Sequence, residues 1–311
     1  MYIGIDIGGT KCAVILGDEN LNIIKNVRFD TTTRDETLER IYSEVAELPK
    51  CRGIGISCGG PLDEERGVIL SPPNLPGWDE VHITEELERR FGMPAALVND
   101  ANACAIAEYS FGAGKGSRNM VFLTFGTGLG AGLILDGKLY SGSSGMAGEV
   151  GHIRLAEDGP VGYGKRGSFE GFCSGGGLAQ LGRAFAEEKL ERGIPVSFCK
   201  DKTALSKVSA KLLAEHANLG DADAISVFDE CARRLGQGLS VIVDIINPDR
   251  IVIGSIYERC ENLLAPKMNE VLSREALSPA LDVCRVVPAA LGDRIGDVAA
   301  LSVAINKFGG I

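Results

Sequence analysis

Asp6 ends an apolar run, "YIGIDI", and is followed by Gly8, Gly9, Thr10 and Lys11 before a second apolar run, "CAVIL". Strand, glycine turn and strand make a hairpin, and a hairpin has no need of an acid at its bend. Glycine turns at strand ends do, however, bring backbone N–H groups close to phosphate oxygens, and a threonine hydroxyl adds a donor. A carboxylate beside bound phosphate can hold Mg²⁺, directly or through water. The same arrangement returns about 120 residues later in "TFGTGLGAGLILDGKL", with Gly126, Thr127, Gly128 and Gly130 at the bend. Neither turn fits GxxxxGK[ST], nor GxGxxG opening a helix, so P-loop and dinucleotide sites are excluded. Each turn alone is ordinary hairpin chemistry; as a pair, with Asp6, they could clamp a triphosphate.

Three further groups could act with such a pair. In "LVNDANA", Asn99 and Asp100 end an apolar run just before a helical one, where side chains of α/β sheets reach binding crevices. An aspartate there could take the proton of a hydroxyl attacking a γ-phosphate, or merely cap the helix. "GMAGEVGH" and "GSFEG" set Glu149, His152 and Glu170 among glycines. Carboxylates and an imidazole supply the acceptors and donors that sugar hydroxyls need. "SPPNLPGW" holds Asn74 and the sole tryptophan, Trp78, in a proline-stiffened loop that either faces a ligand or is a surface turn anchored by the ring.

The elements that must position these residues alternate in the α/β manner. "TLERIYSEVAEL" has the helical period, "CRGIGISC" is a strand stopped at Gly59-Gly60, and "ITEELERRFG" is a helix with a threonine cap and a glycine stop. Gly159 to Gly177 is expected as loop, Glu187 to Lys207 as surface, and "DADAISVFDECARRLGQGLSVIVDII" as a long helix capped by Asp221. Two hairpins opening two halves imply duplicated α/β lobes across a cleft. The expected lobes are 1–117, joined by a terminal helix 297–311, and 118–296. With 311 residues, 45% of them hydrophobic, the chain can bury a sizeable core. A net charge of −10 argues against nucleic acid as partner. The nine cysteines are scattered without a CxxC pair, no leader precedes Tyr2, and no apolar run approaches membrane-spanning length. A soluble cytoplasmic protein without membrane partners is expected.

"IGIDIGGTK", "GISCGGPLD", "NLPGW", "VNDANA", "TFGTGLGAGLILDGKLYSGSSGMAGEVGH", "GSFEG" and "IVIG", in this order over nearly the whole chain, resemble the ROK family of sugar kinases and repressors. The resemblance implies the two-lobed, actin-like ATPase (ribonuclease H-like) α/β fold, ATP with Mg²⁺ as phosphoryl donor, a hexose acceptor and a homodimer. It further implies that Asp6, Gly8, Gly9, Thr10, Lys11, Gly126, Thr127, Gly128, Gly130 and Gly254 serve ATP, with Asp6 toward Mg²⁺. Asp100 matches the catalytic base, and Gly60, Asn74, Leu75, Asn99, Asp100, Glu149, His152 and Glu170 match sugar-facing positions.

One departure is large. Family members commonly carry CxCGxxGCxE after the histidine, whose cysteines and histidine bind a structural zinc. Here the stretch is "VGYGKRGSFE", with Val161, Tyr163 and Ser168 at the cysteine positions. Valine cannot ligate a metal, and tyrosine and serine are poor zinc ligands, so no zinc is expected. The rings of Tyr163 and Phe169 are expected to order the loop instead. ROK repressors add an N-terminal helix-turn-helix, whereas this sequence enters its first strand at Tyr2. The reading is therefore an ATP-dependent kinase of the glucose 6-OH. N-acetylmannosamine or N-acetylglucosamine is the alternative substrate, fructose trails, and a non-catalytic sugar-binding protein is the other class.

Overall fold

Short β-branched runs separated by glycine turns and amphipathic segments fold into two five-stranded sheets with helices against them. The computed structural model describes residues 1–309. From the N-terminus, β1 (Tyr2–Ile7), β2 (Lys11–Gly17) and β3 (Ile23–Asp30) lead into α1 (Arg34–Ala46) and β4 (Ile54–Cys58). A small hairpin, β5 (Leu62–Asp63) and β6 (Val68–Ile69), precedes α2 (Ile83–Phe91), β7 (Ala95–Asn99) and α3 (Asp100–Phe111). Then come β8 (Met120–Phe125), β9 (Leu129–Leu135), β10 (Lys138–Leu139), a second small hairpin of β11 (Val161–Gly162) and β12 (Lys165–Arg166), α4 (Phe169–Phe172) and α5 (Gly175–Glu191). The remainder is α6 (Ala210–Asn218), α7 (Ala222–Ile246), β13 (Arg250–Ile253), α8 (Ile256–Glu275), α9 (Ser278–Leu281), β14 (Arg285–Pro288) and α10 (Ile295–Phe308).

The first sheet has the order β3-β2-β1-β4-β7 and the second β10-β9-β8-β13-β14, so the duplication in the hairpin sequences extends to strand order. Two compact units divide the chain. One comprises Met1–Gly116, Gly132–Ala147 and the chain from Ala290 onward; the other comprises Ser117–Ala131 and Gly148–Ala289. Residues 132–147 thus group with the N-terminal segment, and the return to it begins at Ala290 rather than 297. Gly310 and Ile311 of the expected terminal helix lie outside the described residues.

In the first unit β1, β4 and β7 run parallel, which brings their carboxyl ends to one edge: Asp6 pairs with Ser57, and Cys58 with Asn99. Parallel strands covered on both faces are apolar throughout, and Ile3, Ile5, Ile54 and Ile56 are fully buried. Ile41, Tyr42 and Val45 of α1 and Ile83 and Leu87 of α2 join one core with them. On the other side, Ala299 and Val303 of α10 pack with Val98 of β7 and with Ala103 and Ile106 of α3. Glycine permits that close approach: a Cβ on Gly4 would stand 2.7 Å from the Leu301 amide nitrogen. β3 lies at the sheet edge, mostly exposed, which explains why no buried period marks it in the sequence.

In the second unit, the Asp221 carboxylate caps α7 by accepting from Asp223 N (2.9 Å) and Ala224 N (3.3 Å). Asn247, in the left-handed region at φ 49°, ends it. α7 packs against α4, α5, α6 and α8. Three expectations are corrected. Thr84 does not cap α2; His82 is the N-cap position, and Thr84 sits inside the first turn with its hydroxyl donating to Gly67 O at 3.4 Å. The stretch 159–177 is not one loop but holds β11, β12, α4 and the start of α5, because Ser168 and Ser174 cap the two helices. Tyr163 does not pack: its ring is 78% exposed, while Phe169 is fully buried and lies against Gly238 of α7. Among the described residues no helix is long and apolar enough to cross a membrane.

Candidate active site

The parallel edge of the first unit collects its chemistry. Asp6 stands at the carboxyl end of β1, beside Ser57, whose hydroxyl hydrogen-bonds it. Burial pushes the Asp6 carboxyl up to about 7, and the nearby Asp100 charge adds to the effect. Arg28 pulls the other way only weakly, because its guanidinium is engaged with Asp297. The turn after Asp6 is closed by Gly8 N donating to Lys11 O at 3.0 Å and held by Thr31, whose hydroxyl donates to Gly8 O at 2.7 Å. Gly9, Thr10 and Lys11 are exposed at its tip.

Asp100 opens α3. The cap is taken by Asn99, whose Oδ1 accepts from Ala101 N at 3.0 Å, and Asp100 Oδ1 accepts from the same N–H at 2.8 Å. Asn99 holds the N-cap position, and Asp100, the first helical residue, shares that N–H with it. The Asp100 side chain is open to solvent at the strand end, yet the surrounding protein excludes enough water to hold its pKa above the usual carboxylate value. Gly59 leaves the space before it clear: a Cβ there would stand 4.0 Å from Asp100 Oδ2. Gly60 adjoins the Asn99 amide at 3.6 Å by the same measure. Asn74 lies against the first glycine turn, where a Cβ on Gly9 would stand 2.7 Å from its own Cβ. Leu75 is different: its side chain is in the core with Trp78, its N–H donates to Pro72 O at 2.9 Å, and its carbonyl already accepts from Trp78 N at 3.2 Å, leaving a ligand only that oxygen's second lone pair. Burial, with the Asp100 and Asp6 charges adding, pushes the Cys58 and Cys104 thiols up, so both stay protonated and inert.

In the second unit Glu170 is the centre. Its Oε2 accepts from Leu129 N at 3.0 Å, in the turn that carries Gly126, Thr127, Gly128 and Gly130. That turn is tightened by Gly126 N donating to Gly128 O at 3.1 Å and by Gly130 N donating to the Thr124 hydroxyl at 2.9 Å. Gly128, Gly151 and Gly162 all border Glu170, each so closely that a Cβ would crowd it. Glu149 and His152 flank a single 3-10 turn, Val150–His152, that runs beside β9 through Ala131 N donating to Gly148 O at 3.0 Å; both side chains are exposed. Gly254 ends β13, its N–H donating to Leu123 O at 3.0 Å.

A hard divalent cation suits Asp6. Its carboxylate has a hydroxyl partner, no cation in direct contact among the described residues and only a weak pull from Arg28, and Mg²⁺ with waters and substrate phosphates needs only one or two carboxylates. A structural zinc does not suit the stretch after His152. The Ser168 hydroxyl caps α4 by accepting from Gly171 N at 3.0 Å, and the Cys173 thiol donates to Cys231 O in the buried interior. Among the described residues no three His, Cys, Asp or Glu side chains group as metal ligands.

The sequence reading passed over several residues at these places. Ser57 needed the strand register to be found. Ser174, Gly175 and Gly176 adjoin the second turn, with Gly175 N donating to Gly126 O at 2.8 Å; a serine before three glycines is a legible cap signal. Ser255 borders Gly126 in a positive-φ conformation that no sequence pattern marks.

Comparison with known proteins agrees with this geometry. The family model described as "ROK family" matches residues 2–307. The glucokinase of Streptomyces coelicolor is 32% identical, over 98% of this chain and 97% of its own length. That of Thermotoga maritima is 31% identical, over 99% and 98%. Among solved structures, a ROK family glucokinase from Streptomyces griseus in complex with glucose and AMPPNP is 31% identical. It superposes with a TM-score of 0.78 over 98% of this chain and 99% of that one. With the sheet order found here, the chain has the actin-like ATPase fold of the ROK sugar kinases and belongs to the ROK family.

Proposed function

We propose that the protein is an ATP-dependent sugar kinase that phosphorylates the 6-OH of glucose. One observation carries the reading: Asp100 leaves the N-cap position to Asn99, reaches solvent, and has a raised pKa. That is the profile of a general base. The Asp100 carboxylate takes the proton of the attacking hydroxyl as its oxygen bonds to the γ-phosphorus. The bond from that phosphorus to the bridging oxygen breaks, and ADP leaves. Backbone N–H groups of the turns at Gly8–Lys11 and Gly126–Gly130 receive phosphate oxygens, and Gly254 borders the nucleoside. Gly60, Asn74, the Leu75 carbonyl, Asn99, Glu149, His152 and Glu170 are assigned to sugar hydroxyls. Asp6 would hold Mg²⁺, directly or through water, and the bound cation would supply charge neutralisation on the phosphates.

Glucose is favoured by the glucokinase relatives, which are 31 and 32% identical over nearly the full chain. The protein is taken to act as a homodimer, as the family resemblance implies. It is taken to act in the cytoplasm, where nine free thiols persist reduced. The test is coupled ADP release over glucose, N-acetylmannosamine, N-acetylglucosamine and fructose, with wild type and Asp100→Asn. Turnover is expected to be fastest with glucose. The variant should lose on the order of 100-fold or more in kcat while glucose affinity holds. A folded variant with near-normal kcat overturns the assignment of the base.

A further inference from the structure

Glu64 sits in the turn between β5 and β6, and the sequence gives it no role. Its carboxylate gathers three donors. Oε1 accepts from the backbone N–H of Asn99 at 2.8 Å and from Asn102 Nδ2 at 3.2 Å, and Oε2 accepts from the Ser141 hydroxyl at 3.0 Å. No cation pairs with it among the described residues, so these charge-assisted bonds are what hold it.

The Asn99 bond matters most. β7 is the edge strand of its sheet, paired on one side only, with β4. An outward N–H on an edge strand has no ladder partner, and Glu64 supplies one at the residue just before Asp100. Asn102, in the first turn of α3, is 2% exposed, and its Oδ1 has no hydrogen-bond partner among the described residues. A buried amide left half unsatisfied costs stability, and alanine would be the better helix former. What Asn102 contributes is its donation to Glu64. The two bonds bracket Asp100 from either side, one through the strand end and one through the first helical turn.

Resting on the kinase reading above, we propose that Glu64 is a positioning residue for Asp100, fixing the strand-to-helix turn from which the base projects. It touches neither reacting atom. Gln at this position keeps an acceptor for Asn99 and Asn102 and turns its amide toward the Ser141 oxygen, whereas Ala leaves all three donors unanswered.

The experiment compares Glu64→Ala and Glu64→Gln, each alone and in the Asp100→Asn background. Glu64→Ala should lower kcat for glucose about tenfold with KM for ATP within about twofold, and Glu64→Gln should recover to within about threefold of wild type. In the Asp100→Asn background Glu64→Ala should cost little further, because a positioning residue has no effect once the group it positions is gone. Backbone amide exchange at residues 99–102 should quicken in Glu64→Ala and not in Glu64→Gln, a readout that needs no turnover. An equal factor in both backgrounds, wild-type kcat in Glu64→Ala, or unchanged exchange overturns the proposal. Absence of phosphoryl transfer by wild type overturns the kinase reading instead, and the exchange measurement still decides the placement of the turn.

Discussion

At the residue scale both aspartates at the strand ends of the first unit have raised pKa values, with burial the first cause of each. Asp6 has a folded-state value of about 7 against 3.8 for an ordinary aspartate. Between those values the folded protein holds a proton that the unfolded chain has released. The contribution is therefore favourable below about pH 4 and is lost as pH rises to about 7, after which it is constant. Asp6→Asn removes a carboxylate whose ionisation the fold resists. The variant should melt on the order of 3 °C above wild type at pH 8 and show no gain at pH 4, by calorimetry without nucleotide. A gain of equal size at both pH values would show that burial of charge is not the cause. Asp100 must be ionised to accept a proton, so kcat should fall as pH drops through its raised pKa. Loss only below about pH 4, where an ordinary carboxylate titrates, would contradict the raised value.

At the element scale the first unit depends on α10 lying unusually close to β1 and β4. Gly55 shows why: any Cβ there would overlap the Ala300 carbonyl and the Ala304 amide, both backbone, which cannot swing aside. Gly55→Ala should cost about 2–3 kcal/mol in denaturant unfolding, from overpacking without a flexible neighbour to yield. In the second unit α4, four residues long, carries Glu170 and is too short to stand by itself. It is held by the Ser168 cap, by Phe169 buried against α7, and by the Arg234 guanidinium 4.4 Å above the Phe172 ring. Ser168→Ala should cost about 1 kcal/mol by loss of the cap alone.

At the scale of the whole molecule, zinc independence is predicted from Val161, Tyr163 and Ser168 standing at the expected cysteine positions. The stretch after His152 is laced by hydrogen bonds. The Gln180 side-chain amide exchanges two with the Val161 backbone at 2.9 Å each, Lys165 Nζ donates to His152 O at 2.7 Å, and Arg234 donates to Leu155 O at 3.2 Å. Such lacing can order the segment without zinc. Protein treated with a zinc-selective chelator, with Mg²⁺ in excess, should keep its melting temperature and its glucose phosphorylation. Elemental analysis should find well below one zinc per chain. A stoichiometric zinc whose removal abolishes activity would show that ligands outside the expected positions complete a site.

What the sequence determined by itself is whatever rests on local chemistry. The hairpin bends show as glycines, and Asp136-Gly137, both at positive φ, is the turn that "DGK" requires. Asp221 and Asn247 bound α7 where a cap and a left-handed stop are written into the residue types. The ordered motifs carried the family, because a dozen glycines and acids at fixed places rarely recur by chance. Tertiary structure alone decided the rest. Strand register brings Ser57 beside Asp6, and the position of β7 at a sheet edge gives Glu64 its work. Leu75 and Trp78 face the core while Asn74, one residue away from Leu75, stays exposed. Tyr163 and Phe169, both expected to pack, part ways: Phe169 is buried against Gly238 of α7, and Tyr163 is exposed. A pKa near 7 for Asp6 follows from the mass and charge packed around it, which residues distant in sequence supply.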